Sequence, residues 1–186
     1  MKAIAFDPLE QRVYWSDVEE SRIYRQFLNG TKTEIFLEGG IGTVDGMAID
    51  PASRLLFFTN IIPTFNGQTR GKVESVLLYP FYGDELPAAY RRVVAEGGDI
   101  EYPRGITLNI ANNMIYFTDW GSKNPTIFHC RYDGSRLKDL SEQLRQVFVP
   151  LLLTVVLRLT RKRSHTPCVV YYCGILLFRL GDQYYY

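Results

Sequence analysis

Cysteine is scarce. Cys130, Cys168 and Cys173 are the only three in 186 residues, an odd set that leaves at least one thiol unpaired and is too small to staple a coreless scaffold. They do not decide between an oxidising and a reducing compartment. Histidine is scarcer still: neither His129 nor His165 stands in a pattern that would make it the base for a Ser or Cys nucleophile. An excess of one charge is missing too, since 21 Lys and Arg face 20 Asp and Glu for a net charge of +1, which gives no footprint for nucleic acid. No apolar run reaches the roughly 20 residues that a membrane-spanning helix needs. Val147 to Leu157, interrupted by Pro150, and Cys168 to Phe178 are 11 residues each, and Arg161-Lys162-Arg163 between them only imitates a stop-transfer signal. A leader is also missing as the sequence stands, because Asp7-Pro8 follows Met1 almost at once.

What is present is an ordinary globular composition, 46% hydrophobic, 14% aromatic and 22% charged, in a chain long enough to bury a real core. Charge is uneven along it. Residues 1–140 hold 15 Lys and Arg against 18 Asp and Glu, net −3, whereas residues 141–186 hold 6 against 2, net +4. The chain changes character near residue 140.

Three segments repeat. Ile4-Ala5-Phe6-Asp7-Pro8 leads to Tyr14-Trp15-Ser16-Asp17, Met47-Ala48-Ile49-Asp50-Pro51 to Phe57-Phe58-Thr59-Asn60, and Ile106-Thr107-Leu108-Asn109 to Tyr116-Phe117-Thr118-Asp119. From the first apolar residue to the last Asp or Asn the spacing is 13 in every copy. Each copy reads as short strands: an apolar triplet stopped by Asp-Pro, a second strand ending in the aromatic motif, and a third running into a tight turn at Asn29-Gly30 or Asp133-Gly134. Lys32 to Leu37 supplies a fourth strand. Four antiparallel strands per unit describe one blade of a β-propeller. The step from Ile4 to Met47 is 43 residues but that from Met47 to Ile106 is 59, so the second unit carries an excursion. The Gly, Pro and Asn content of Ile61 to Lys72 marks it as an extended surface loop, and Tyr79-Pro80-Phe81-Tyr82-Gly83 replaces the expected turn.

Together, the apolar triplet with Asp-Pro, Tyr-Trp-Ser-Asp and Asn-Gly or Asp-Gly resemble the YWTD (class B) repeat of the low-density lipoprotein receptor family over residues 3–140. The resemblance implies an all-β, incomplete YWTD-type propeller with three blades of four antiparallel strands, at 1–45, 46–104 and 105–140. Residues 141–186 read as a degenerate fourth blade or an out-of-frame tail of low order: Pro150 to Val156 lines up with Pro103 to Asn109, and Val170-Tyr171-Tyr172 with Ile115-Tyr116-Phe117. The family further implies an extracellular module, at the outer face of the plasma membrane in an intact parent that carries EGF-like modules. Its expected partners are lipoprotein, Wnt-pathway or matrix proteins, with endocytic or signalling roles. A nidogen-like adhesion propeller is the alternative, and a metal-dependent propeller hydrolase the third reading.

The motif residues themselves read as scaffold, with Asp17 and Asp119 accepting backbone N–H groups, the aromatics filling the space between blades, and Asn60 closing its blade more weakly for want of charge. Trp120, Arg104 and Asp45 stand beside the motifs at strand ends, where a ligand would meet one propeller face, and Trp and Arg are common interface anchors. The bland alternative packs Trp120 between blades and pairs Arg104 with a neighbouring acid. Asn29-Gly30-Thr31 is an N-glycosylation sequon. No cofactor, calcium loop or zinc spacing is expected, and neither Gly71-Lys72 nor Gly39-Gly40-Ile41-Gly42 makes a phosphate loop; these glycines read as turns between blades. Three blades cannot close a ring by themselves, so the chain reads as a fragment with open blade edges suited to self-association.

Overall fold

The computed structural model describes residues 1–64, 67, 69–78, 87–121 and 125–140, all within the compact unit Met1–Arg145. They form three four-stranded antiparallel sheets in chain order. The first contains β1 (Ile4–Asp7), β2 (Arg12–Asp17), β3 (Arg22–Phe27) and β4 (Glu34–Leu37). The second contains β5 (Met47–Asp50), β6 (Leu55–Pro63), β7 (Thr69–Leu77) and β8 (Arg91–Glu96), and the third β9 (Pro103–Asn109), β10 (Met114–Asp119), β11 (Thr126–Arg131) and β12 (Lys138–Asp139). Each sheet is a meander, and the first strands β1, β5 and β9 lie against one another in turn. These are three blades of a β-propeller. The repeat extends to the backbone: Gln11, Arg54 and Asn113, at the same place in the first turn of each sheet, share left-handed φ values of 54°, 55° and 52°. Gly30 and Gly134 take φ values of 85° and 83° in the turns after β3 and β11, which glycine enters without steric cost.

Alternation along the strands decides which faces pack. In β2, Tyr14 and Ser16 are buried while Val13, Trp15 and Asp17 are half-buried; in β10, Ile115, Phe117 and Asp119 are buried while Met114, Tyr116 and Thr118 are half-buried. The continuous run Leu55-Leu56-Phe57-Phe58 in β6 shows no such alternation, because the middle sheet is covered on both sides. Leu56 and Phe58 join Tyr14, Ile23 and Phe36 in one core cluster, and Phe57 joins Ile115, Phe117 and Phe128 in the other. The rule is regular: the first aromatic of each motif faces the following sheet and the second faces the preceding one. Trp15 and Tyr116, which have no described sheet to meet, stack instead within their own sheets, Trp15 on Tyr24 with ring centroids 5.6 Å apart and Tyr116 on His129 at 5.7 Å.

Two readings of the sequence need correction. The excursion after Ile61 is not a loop at its base but a lengthened hairpin, in which Ile61 pairs with Gly71, Ile62 with Arg70 and Pro63 with Thr69. Gly71 is therefore a strand residue. A Cβ there would stand 2.4 Å from Pro103 Cδ and 2.5 Å from the Glu101 carbonyl, so glycine is needed for the close approach of the linker before β9. Pro103 and Arg104 belong to the third sheet, since Pro103 pairs with Asp119, rather than closing the second. Tyr79 to Gly83 and residues 141–186, with the proposed fourth-blade register, lie outside the described residues.

Candidate functional site

The third and fourth motif positions tie each sheet to its neighbours. Ser16 Oγ accepts from the Ala3 N–H at 2.9 Å and donates to the Val44 carbonyl at 2.9 Å, and Thr59 Oγ1 accepts from Gly46 N–H at 2.9 Å and donates to the Arg104 carbonyl at 3.0 Å. Thr118 Oγ1 accepts from Gly105 N–H at 3.0 Å. Ser16 and Thr59 thus each join the start of their own sheet to the start of the next one. The final acid works in the opposite direction, on the linker that precedes its sheet. Asp119 Oδ2 accepts from the Glu101 and Tyr102 N–H groups at 3.1 and 3.0 Å, and Oδ1 from Gly121 N–H at 2.7 Å. Asp17 caps its own turn through the Glu19 and Glu20 N–H groups.

Asn60 does more than an acid at that position would. Its Oδ1 accepts from Gly42 N–H at 2.8 Å, while its Nδ2 donates to the Gly40 carbonyl at 3.0 Å and to Glu74 Oε2 at 2.7 Å. Glu74 is buried and also paired with Arg91 at 2.6 Å and Lys72 at 3.1 Å, and Arg91 in turn donates to the Gly39 and Gly40 carbonyls. Neutrality at residue 60 is matched to a buried carboxylate beside it, so the three hydrogen bonds offset the missing charge.

Asp45, Arg104 and Trp120 come together at one end of the sheets, where β10 finishes and β1, β5 and β9 begin. Arg104 Nη1 donates to Asp45 Oδ2 at 2.7 Å, and its guanidinium carbon lies 5.2 Å from the centroid of the Trp120 ring. Lys2 Nζ reaches the other carboxylate oxygen at 3.1 Å. Asp45 and Arg104 are half-buried, the Asp45 side chain with 9% exposure, and Trp120 is 55% exposed with its backbone N–H held by the Tyr102 carbonyl. Of the packing alternative one half holds: Arg104 pairs with an acid, whereas Trp120 is not packed between the described sheets. A largely covered carboxylate holds a guanidinium, which lies over an exposed indole in a cation–π contact. Lys2 gave no sequence signal, being an isolated cation before the first strand.

A second feature was not legible. Arg54 forms a two-point pair with Asp7, Nη1 to Oδ1 at 3.0 Å and Nη2 to Oδ2 at 2.7 Å, and also reaches Glu10 at 2.6 Å. Burial works to raise the Asp7 carboxyl, but the Arg54 guanidinium and the Leu9 N–H outweigh it and hold the group below its ordinary value. At the next boundary Asn113 occupies the Arg54 position, and Asp50 faces the Tyr132 phenol instead. Burial and the nearby carboxylate push that phenol well above its ordinary value. Cys130 is fully buried in the second cluster, and burial pushes its thiol up to about 11. Asn29 is exposed, its Oδ1 accepting from the Thr31 N–H and hydroxyl at 3.0 and 2.7 Å. Among the described residues no group of three or more His, Cys, Asp or Glu is placed to hold a metal ion, and no helix is long and apolar enough to cross a membrane.

No family model matches the chain. It is similar to protein cueball of Drosophila simulans, 28% identical over 138 residues covering 71% of this chain and 19% of the fly protein. Against the cueball protein of Drosophila yakuba it is 29% identical over 121 residues, 62% and 16% of the two chains. The chain thus spans less than a fifth of the length of these curated relatives. Among solved structures it is similar to one from a nidogen/laminin complex, with 27% identity, a TM-score of 0.62, and coverage of 75% of this chain and 47% of that one. The TolB structure from Agrobacterium tumefaciens, at 11% identity and a TM-score of 0.54 over 73% of this chain, shares the fold alone. The described residues are three blades of a propeller resembling that of the nidogen complex.

Proposed function

We propose that this chain is a non-catalytic, protein-binding propeller module of an extracellular receptor of the low-density lipoprotein receptor-related type, serving ligand uptake or a co-receptor role. The observation that carries the reading is the Asp45–Arg104–Trp120 constellation, an exposed indole held in place from beneath at the end of the sheets where the linkers cross. Anchors of this kind, aromatic and arginine fixed before a partner arrives, lose little conformational freedom on binding. The β6–β7 hairpin lengthens toward the same end of the sheets.

A second reading, a matrix adhesion propeller, is favoured by the similarity to the structure from the nidogen/laminin complex. Immobilised chain is to be tested against lipoprotein particles, purified Wnt-pathway antagonists and laminin. Binding of either of the first two, lost in Trp120→Ala and Arg104→Ala with unchanged thermal midpoints, supports the receptor reading; laminin alone moves it to adhesion. Binding that survives both substitutions removes the cluster from the function.

A further inference from the structure

The turn between β3 and β4 has a counterpart between β11 and β12 that matches it bond for bond. The Gly30 and Gly134 N–H groups donate to the Phe27 and Arg131 carbonyls, both at 2.9 Å, and the Phe27 and Arg131 N–H groups donate to the Thr31 and Ser135 carbonyls at 3.0 and 2.8 Å. Lys32 and Arg136 share left-handed φ values of 54° and 59°. In each turn the residue before the glycine accepts from the N–H two residues on, Asn29 Oδ1 from Thr31 at 3.0 Å and Asp133 Oδ1 from Ser135 at 2.9 Å. The third sheet has its preceding sheet in place, so it shows how much of such a turn a neighbour covers. A Cβ on Gly134 would stand 2.0 Å from the Val94 carbonyl oxygen of β8, yet Asp133 stays exposed. The exposure of Asn29 therefore follows from its place in the turn and does not depend on what stands before β1.

Asn29 departs from Asp133 in carrying a neutral amide. The Thr31 N–H can only donate, which fixes the amide oxygen as the atom facing it, and the Thr31 hydroxyl donates to the same oxygen at 2.7 Å. Nδ2 has no hydrogen-bond partner among the described residues. We infer that Asn29 carries an N-linked glycan, and that this glycan stands at the end of the sheets opposite Asp45, Arg104 and Trp120. The inference rests on the extracellular reading proposed above. In the transfer, Nδ2 bonds to C1 of a sugar delivered by a lipid-linked oligosaccharide diphosphate. The C1–oxygen bond to phosphate breaks, its electron pair leaves on the lipid diphosphate, and one amide proton goes with it. β3 begins at the linker end with Arg22 and reaches the turn after Phe27, and six residues of strand span about 20 Å. A bulky, hydrophilic group there covers one rim of the sheets and leaves the Trp120 end to a protein partner.

The test expresses the full chain behind a cleavable secretion leader in a eukaryotic host, beside Asn29→Gln and Asp133→Asn. The second substitution writes the same signature, Asn-Gly-Ser, into the matching turn. One glycan is expected on the wild type, none on Asn29→Gln and two on Asp133→Asn, at matched thermal midpoints. Position is read by labelling with a bulky amine-reactive polyethylene glycol, followed by peptide mapping. The glycan is expected to slow labelling of the exposed Lys32 several-fold and to leave Lys2, at the linker end, unchanged, and enzymatic removal restores the Lys32 rate. A secreted chain unmodified at residue 29, a single glycan on Asp133→Asn, or equal slowing at Lys2 and Lys32 would each overturn the inference. A glycosylated chain that binds none of the proteins and particles named above removes the receptor reading alone, and a chain that binds one of them without a glycan removes this inference alone.

Discussion

The Thr59 hydroxyl donates to the backbone carbonyl of Arg104 at 3.0 Å, across the boundary between the second and third sheets. The residue it fixes is the one whose guanidinium lies against Trp120, so a buried scaffold position and an exposed surface constellation share one anchor. Replacing Thr59 with Val leaves the Gly46 N–H and the Arg104 carbonyl without their partner and is expected to cost about 2 kcal/mol in urea denaturation. Thr59→Ser keeps both hydrogen bonds and is expected to cost less. Thr118→Val, which gives up the one hydrogen bond from Gly105 N–H rather than two, is expected to cost less than Thr59→Val, and an equal loss there would contradict the assigned bridging geometry.

Asn60→Asp restores the acid found at the other two motif ends, yet it is expected to destabilise the chain. The new carboxylate would lie at hydrogen-bond distance from Glu74 Oε2, and the donors to that carboxylate and to the Gly40 carbonyl would be lost. A loss of about 2 kcal/mol near pH 7 is expected. The loss should shrink in acid, where protonation restores a donor. Thermal midpoints at pH 7 and pH 4 check this; a stabilised variant would show that charge, not donor capacity, matters at residue 60.

Asp7 links stability to acidity. Its carboxyl lies below its ordinary value when folded, so its stabilising contribution is present above the unfolded value, near pH 3.9, and is lost as pH falls through the folded one. Arg54→Met leaves that carboxylate buried without its guanidinium and is expected to cost about 3 kcal/mol at neutral pH. Below about pH 4 the gap between variant and wild type is expected to narrow, because the unpaired carboxyl protonates more readily. A gap of constant size across that range would remove Asp7 as the coupled group.

Asn29 sits on an exposed turn, with its side-chain carbonyl engaged by the Thr31 hydroxyl at 2.7 Å. Expressed through a eukaryotic secretory route, the chain is expected to carry one enzymatically removable glycan there, absent from both Asn29→Gln and Thr31→Ala. Intact mass before and after deglycosylation decides it, and an unmodified secreted chain would refute the site.

The blades were legible in sequence because the signals are local. A strand run, an Asp-Pro stop and a Gly turn each act within a few residues, and their repetition at constant spacing made them mutually supporting. The double-sided burial of Leu55 to Phe58 also left a trace, as an apolar run without alternation. What stayed hidden was pairing at long range: Arg54 with Asp7 and Arg91 with the linker at Gly39 and Gly40 depend on how neighbouring sheets turn, and a single charged residue bears no mark of its partner. Asp45, Arg104 and Trp120 could be named from their positions at strand ends, but not the order in which each supports the next. Asn60 misled for a related reason, since its meaning lies in Glu74 on another strand.

The middle sheet, apolar on both faces, has a thermodynamic consequence. A lone β5–β8 unit would expose Leu56 and Phe58 on one side and Phe57 and Val73 on the other, so its stability resides almost wholly in coupling to its neighbours. Melting should therefore begin at the outer sheets and spread inward, with amide hydrogens of β6 and β7 the last to exchange. Any substitution at either internal boundary would then be felt as a change in cooperativity as well as in midpoint.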